Sequence, residues 1–279
     1  MSKYYYLIAG LPELALEDNK LNYTTSSFRE ELYPELSSND KAIIDLLYLE
    51  IDNQNLLLLL NDKNAAVSKE GVYTSEDLVK LIEIVRIGED KAKGFPLYMV
   101  SFLENYFSEK YTGDILLENI LTGLYYDFAM KCKNKFVKEW YEFNAILNNL
   151  FIAISSRKHQ IDYQDQIIGS DSIAQQIRQS SARDFGLSSV LDYLPAVMRI
   201  SEEENLLMRE KKTDMLKWNW MEDQTFFNYF TIERIFVFLL QISMIERWLP
   251  LDTEEGNRYF REIINSLKNQ VQIPEEFRK

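Results

Sequence analysis

Turn-forming residues are what this chain most lacks. Nine Gly and six Pro interrupt 279 residues, too few for the frequent tight turns of an all-β fold. Long helices with few connections are the architecture such a chain can build. Aromatic residues make up 13% of it, with 17 Tyr and 16 Phe, and large rings bury much apolar area per helix contact. The length suffices for one large domain or for two or three smaller lobes, each with a core.

Apolar spacing and capping residues place the helices. Tyr4–Ala9 is a short aromatic and β-branched run that reads equally as a strand or as a first helical turn, stopped by Gly10-Leu11-Pro12. Ser27-Phe28-Arg29-Glu30 fits a capping box and predicts a short helix. From Ser38 a long helix is expected to end near Asn61 or Asp62. Its apolar residues cover most of its circumference, as in a helix buried on most sides. Thr74-Ser75-Glu76-Asp77 opens the next helix, because hydroxyls accept from free amides and acids suit the positive helix end. Further helices are expected from Pro96, over 115–132, from Phe136 to about Ser156, over 173–183, and from Ser188 or Ser189. Ser201-Glu202-Glu203-Glu204 suggests another capping box, with a helix to about Trp220. Residues 224–248 read as the most apolar helix of all, and Asp252 or Thr253 as the cap of a last one.

A weak internal repeat runs through these helices. Asn55-Leu56 lies in one long helix and Asn149-Leu150 in another, and each Asn is followed eight residues later by a base, Lys63 or Arg157. A loop and a capped shorter helix come next in both cases. A third long helix puts Glu233-Arg234 in place of the Asn. Each module would hold one polar group inside a mostly apolar helix, and a buried amide demands hydrogen-bond partners. Three helical lobes are therefore expected, approximately 1–95, 96–187 and 188–279, with interleaving allowed.

Catalytic chemistry has little to work with. The single His159 and single Cys132 cannot make a zinc site without several carboxylates. Lys131 and Lys133 flank Cys132, yet a Cys on an apolar helix usually only packs. No glycine-rich phosphate cradle and no nucleophile turn occur. Glu139 and Glu142 lack the ExxH partner of a di-metal bundle, and Glu202–Glu204 suit a helix start. Trp140, Trp218, Trp220 and Trp248 could form a binding surface or pack a core. No catalytic, cofactor-binding or metal-binding residue is therefore expected.

The net charge of −13 repels a phosphate backbone, so nucleic acid is not an expected partner. Basic proteins or cations are better matched, and acidity for solubility alone is an equal reading. One Cys forbids an internal disulfide, as in a reducing compartment. The apolar stretch 235–245 is bracketed by Glu233, Arg234, Glu246 and Arg247 and falls short of the ~20 residues that span a bilayer.

The arrangement resembles the V-type ATPase coupling subunits designated C in archaea and bacteria and d in eukaryotes. More closely, it resembles a bacterial group encoded beside V-type ATPase subunits. The opening Lys3-Tyr4-Tyr5-Tyr6-Leu7-Ile8-Ala9-Gly10-Leu11-Pro12 is the most specific match. Asp52, Asn55, Leu56 and Lys63, then Gly71-Val72-Tyr73-Thr74-Ser75-Glu76-Asp77-Leu78, are similar to the coupling-subunit pattern. Asn149, Leu150 and Arg157 match it a second time, and Glu233-Arg234 more loosely. The resemblance implies an all-α funnel of three pseudo-repeated lobes without enzyme activity or cofactor. It would couple the central rotor stalk to the membrane proteolipid ring in ion transport, cytoplasmic and peripheral on the inner face of the cell membrane. A helical protein-binding adaptor is the alternative, and an enzyme working through carboxylates alone a third.

Overall fold

The computed structural model describes residues 4–88, 92–111 and 116–250. Eleven α-helices and no strand occur among the described residues. Chain contacts divide the fold into two units: residues 37–227 form one, and 1–36 with 228–279 the other.

In the smaller unit, α1 (Tyr5–Ala9) resolves the open reading of the first segment as helix. The Tyr4 amide donates to the Phe230 carbonyl at 2.9 Å, and the Tyr5 and Phe230 rings lie 4.6 Å apart. Residues after α1 run as loop to α2 (Thr25–Ser27), where Thr24, not Ser27, is the cap. The helix continues through a wide turn over Phe28–Leu32 and a tight one over Tyr33–Glu35. The last helix, α11, spans 232–250 and buries Ile235, Phe236, Val237, Ile242 and Ile245. Its Glu246 accepts from the Thr25 amide at 2.9 Å and from the Thr25 hydroxyl at 2.7 Å, which closes this unit.

The larger unit is built on two long helices, α3 (Ser38–Asn61) and α7 (Lys135–His159). Between them come α4 (Ser75–Ile87), α5 (Leu97–Phe107) and α6 (Leu117–Ala129). After α7 follow α8 (Ser172–Gln179), α9 (Leu194–Ser201) and α10 (Leu206–Thr225). α3 packs on α4 and α6, while α7 packs on α6, α8, α9 and α10. Thr74 and Asp77 close the expected capping box of α4, and Gly88 ends that helix at φ +74°, a backbone shape glycine adopts without strain.

Several boundaries differ from the expected ones. Asn205 caps α10 by accepting from the Met208 amide at 3.1 Å, while the Ser201 hydroxyl turns back to the Met198 carbonyl at the end of α9. Asp171 caps α8. The helix expected to end near Trp220 runs on to Thr225 as α10, and the one expected over 224–248 begins only at 232, as α11. The expected helix start at 115 and the cap at Asp252 or Thr253 lie outside the described residues.

Candidate functional site

Two asparagines repeat one device. On α3, Asn55 is 2% exposed and grips both backbone groups of Ser68, donating to its carbonyl at 2.8 Å and accepting from its amide at 2.9 Å. On α7, Asn149 is likewise 2% exposed and does the same to Ile168, at 2.8 Å and 2.8 Å. An amide side chain carries one acceptor and one donor side, so it can replace a strand partner for one loop residue. Each clamp fixes the loop that leads into a capped helix, α4 or α8.

Around the clamps the modules diverge. Asp52, fully buried, accepts from the Val72 amide at 2.8 Å and the Tyr73 amide at 3.2 Å. Gly71 makes room for it: a Cβ there would lie 2.1 Å from the Asp52 carboxylate. Lys63 pairs with Glu83 at 2.5 Å on an exposed surface. In the second module Arg157 is far more engaged. It donates to the Tyr163 hydroxyl at 3.0 Å, to the Ala182 carbonyl at 2.7 Å and to the Ser180 carbonyl. Its guanidinium also sits 3.9 Å over the ring of Phe185, a buried residue at φ +55°. A bulky side chain in the left-handed region is strained and is held there by its surroundings.

A cavity of about 580 Å³ opens between α3, α6, α7 and α10, within the larger unit. Glu50 lies on its wall. Its carboxylate makes no hydrogen bond or ion pair among the described residues. Glu50 is an exposed residue, yet the protein atoms packed around its carboxylate desolvate it and push its pKa up, against the opposing pull of Lys217. Asn53 beside it is 7% exposed and accepts from the Tyr98 hydroxyl at 2.7 Å. Its amide nitrogen has no acceptor among the described residues. The Tyr125 hydroxyl bonds the Leu46 carbonyl at 2.7 Å and the Tyr141 hydroxyl at 2.8 Å. Burial, and then the nearby Glu50 charge, raises the pKa of Tyr126. Tyr125 and Tyr141 also feel Glu50, though burial dominates there too.

The residues that the sequence singles out for chemistry fall elsewhere. Glu139 and Glu142 pair with Lys135 and Lys138 one helical turn away. Glu202 pairs with Arg183 and Glu203 with Lys212. Cys132 is half-buried beyond the end of α6. Trp220 stacks on Phe143 at 4.7 Å and lies 5.8 Å from Trp140, an aromatic cluster within the unit. Trp218 and Trp248 are buried. Of these residues His159 alone lines the cavity. No group of three or more metal-ligating side chains occurs among the described residues. Glu50 has no signature in the sequence, because a lone acid on an apolar helix looks like its solvent face; only the tertiary packing shows what it faces.

A family model described as a protein of unknown function, DUF2764, matches residues 1–271. The chain belongs to that family. No curated protein and no solved structure matches it. The DUF2764 match covers both clamped modules and most of the smaller unit. Among the described residues no helix is long and apolar enough to cross a membrane.

Proposed function

We propose that the chain is a non-catalytic coupling component of a V-type ATPase, related in plan to the coupling subunits it resembles. It would join the central rotor stalk to the membrane proteolipid ring from the cytoplasmic face. The observation that carries this reading is the paired clamp. The polar positions that share the coupling-subunit pattern, Asn55 and Asn149, perform one structural task twice, in successive long helices. A structural repeat of stiff helical modules suits transmission of torque, because close-packed interiors resist deformation. The three-lobed funnel, with a third lobe around α11, belongs to the same proposal.

The partner contact is assigned to an exposed aromatic cluster of the smaller unit. Tyr6 is 96% exposed, and Tyr5, Tyr229 and Phe230 are exposed near it in sequence or space. Exposed apolar clusters mark interaction surfaces, and this one carries the segment with the most specific resemblance. Affinity purification of the tagged protein from native membranes tests the proposal. Stalk and ring subunits of the V-type enzyme should co-purify, and Tyr6→Ser should weaken their recovery. A clean preparation lacking every one of those subunits would leave the adaptor reading in its place.

A further inference from the structure

The cavity has no task in the coupling role, yet its lining is chemically selective. Three acids, Glu50, Glu118 and Glu210, and three bases, Lys158, Arg209 and Lys217, line it, so the formal charges balance. A simple cation or anion gains little from such a wall, whereas a molecule bearing both charges can align with it.

The two signs also differ in setting. Glu50 shares the lining with Tyr125 and Tyr126, and its charge reaches both and Tyr141 as well. A carboxylate with no hydrogen bond or ion pair among the described residues, and with Lys217 as the base its charge reaches, can take an ammonium group beside aromatic rings, through charge and the faces of the rings. The Tyr125 and Tyr126 rings meet edge to face at 5.7 Å, which leaves differently oriented surfaces there. Asn148 donates to the Tyr126 hydroxyl at 3.2 Å, and its own carbonyl oxygen has no donor among the described residues. That oxygen is a second acceptor for an ammonium.

Arg209 supplies the opposite charge from another element of the lining, α10. It lies in the first turn of α10, the positive end of the helix, where a cation is disfavoured. Its guanidinium makes no hydrogen bond or ion pair among the described residues. Lys158, on the same cavity, is explained by the last turn of α7, whose negative end suits a base. Arg209 has no such explanation. A half-buried arginine with free donors at a helix N-terminus is instead suited to an anionic oxygen group.

We propose that this cavity binds a small zwitterion, with its ammonium against Glu50 among the tyrosines and its carboxylate or phosphate on Arg209. The volume lies within the range of small-molecule sites. Binding makes and breaks no covalent bond. The same chemistry could come from a free amino acid or from the ethanolamine phosphate head of a lipid.

Titration calorimetry on the full chain tests this, with γ-aminobutyrate and phosphoethanolamine as probes. Methylammonium chloride and sodium acetate serve as single-charge controls. Vesicles of phosphatidylethanolamine against phosphatidylcholine, followed by co-sedimentation, separate a lipid source from a free one. At least one zwitterion should bind with a Kd of about 1 mM or tighter, and both controls should bind at least about tenfold more weakly. Glu50→Gln and Arg209→Gln should each weaken binding about tenfold or more, with helical circular dichroism unchanged. Glu50→Gln removes a charge that makes no hydrogen bond or ion pair among the described residues and keeps the side chain's shape, so its loss of binding cannot be laid to unfolding. Selective sedimentation with phosphatidylethanolamine supports the site with a lipid source, and binding of the free probes alone supports it with a soluble one. No zwitterion binding at all, or binding indifferent to both substitutions, overturns the proposal.

Discussion

The two clamped modules use the same asparagine and surround it with opposite strategies. The first backs Asn55 with a buried charge, Asp52, and leaves its base, Lys63, on the surface. The second has Ile146 at the position matching Asp52 and puts its base to structural use, Arg157 locking the chain after α8. The lesson is that a repeat is preserved where one group meets two obligatory backbone partners. It drifts where several groups can hold the same loop. The modules differ again five residues before each clamp, where Glu50 faces the cavity and the matching Asn144 is buried, donating to the Trp140 carbonyl at 2.8 Å.

Substitutions probe that contrast in graded steps. The largest effect is expected from Asp52→Ala, about 3 kcal/mol by urea denaturation, since two amides lose a buried anionic acceptor. Ile146→Ala, its positional match, should cost clearly less; equal losses would deny Asp52 its role. Gly71→Ala follows at about 2 kcal/mol, because the added methyl strikes the Asp52 carboxylate. Asn55→Ala and Asn149→Ala should cost about 2 kcal/mol each and resemble one another, as each strands one amide and one carbonyl. A large inequality between them would show that the shared geometry is not a shared contribution.

Weaker effects separate the modules further. Arg157→Lys should cost about 1 kcal/mol, since an ammonium cannot keep the fork of bonds and the stacking on Phe185. Lys63→Ala should be indistinguishable from wild type, because its partner pair is exposed. The pH dependence divides them as well. Burial raises the folded pKa of Glu50, so the folded state holds that proton more tightly than the unfolded one. Its contribution to stability is therefore complete below the unfolded pKa of about 4.3 and falls as pH rises through the folded value. The groups that couple to its charge are Lys217 on α10, Tyr125 and Tyr126 on α6, and Tyr141 on α7, and Glu118, Lys158, His159, Arg209 and Glu210 line the same cavity. Glu50→Gln should raise the Tm at pH 7 and lose that advantage near pH 4. Asn144→Gln should show no such crossover with pH.

Much of the helical layout was legible in the sequence. The apolar spacing of α3 and the Thr74–Asp77 box fix local geometry, and local geometry is what spacing and caps encode. Asn55 and Asn149 were legible as buried polar groups, but their partners, Ser68 and Ile168, were not, because those bonds span a loop. The break at 226–231 was hidden by Phe226, Phe227, Tyr229 and Phe230. They carry the hydrophobicity of a core helix and are exposed instead. The cavity was illegible for the same reason: four helices must meet before Glu50 and Arg209 share a space.

Amide hydrogen exchange at Ser68 and Ile168 tests most directly whether two modules share one device. In the wild type both amides should exchange slowly. Asn55→Ala should speed exchange at Ser68 about tenfold or more beyond any change in core amides of α7, and leave Ile168 slow. Asn149→Ala should do the reverse. Fast exchange at either amide in the wild type, or either substitution releasing both amides together, would contradict the paired clamp.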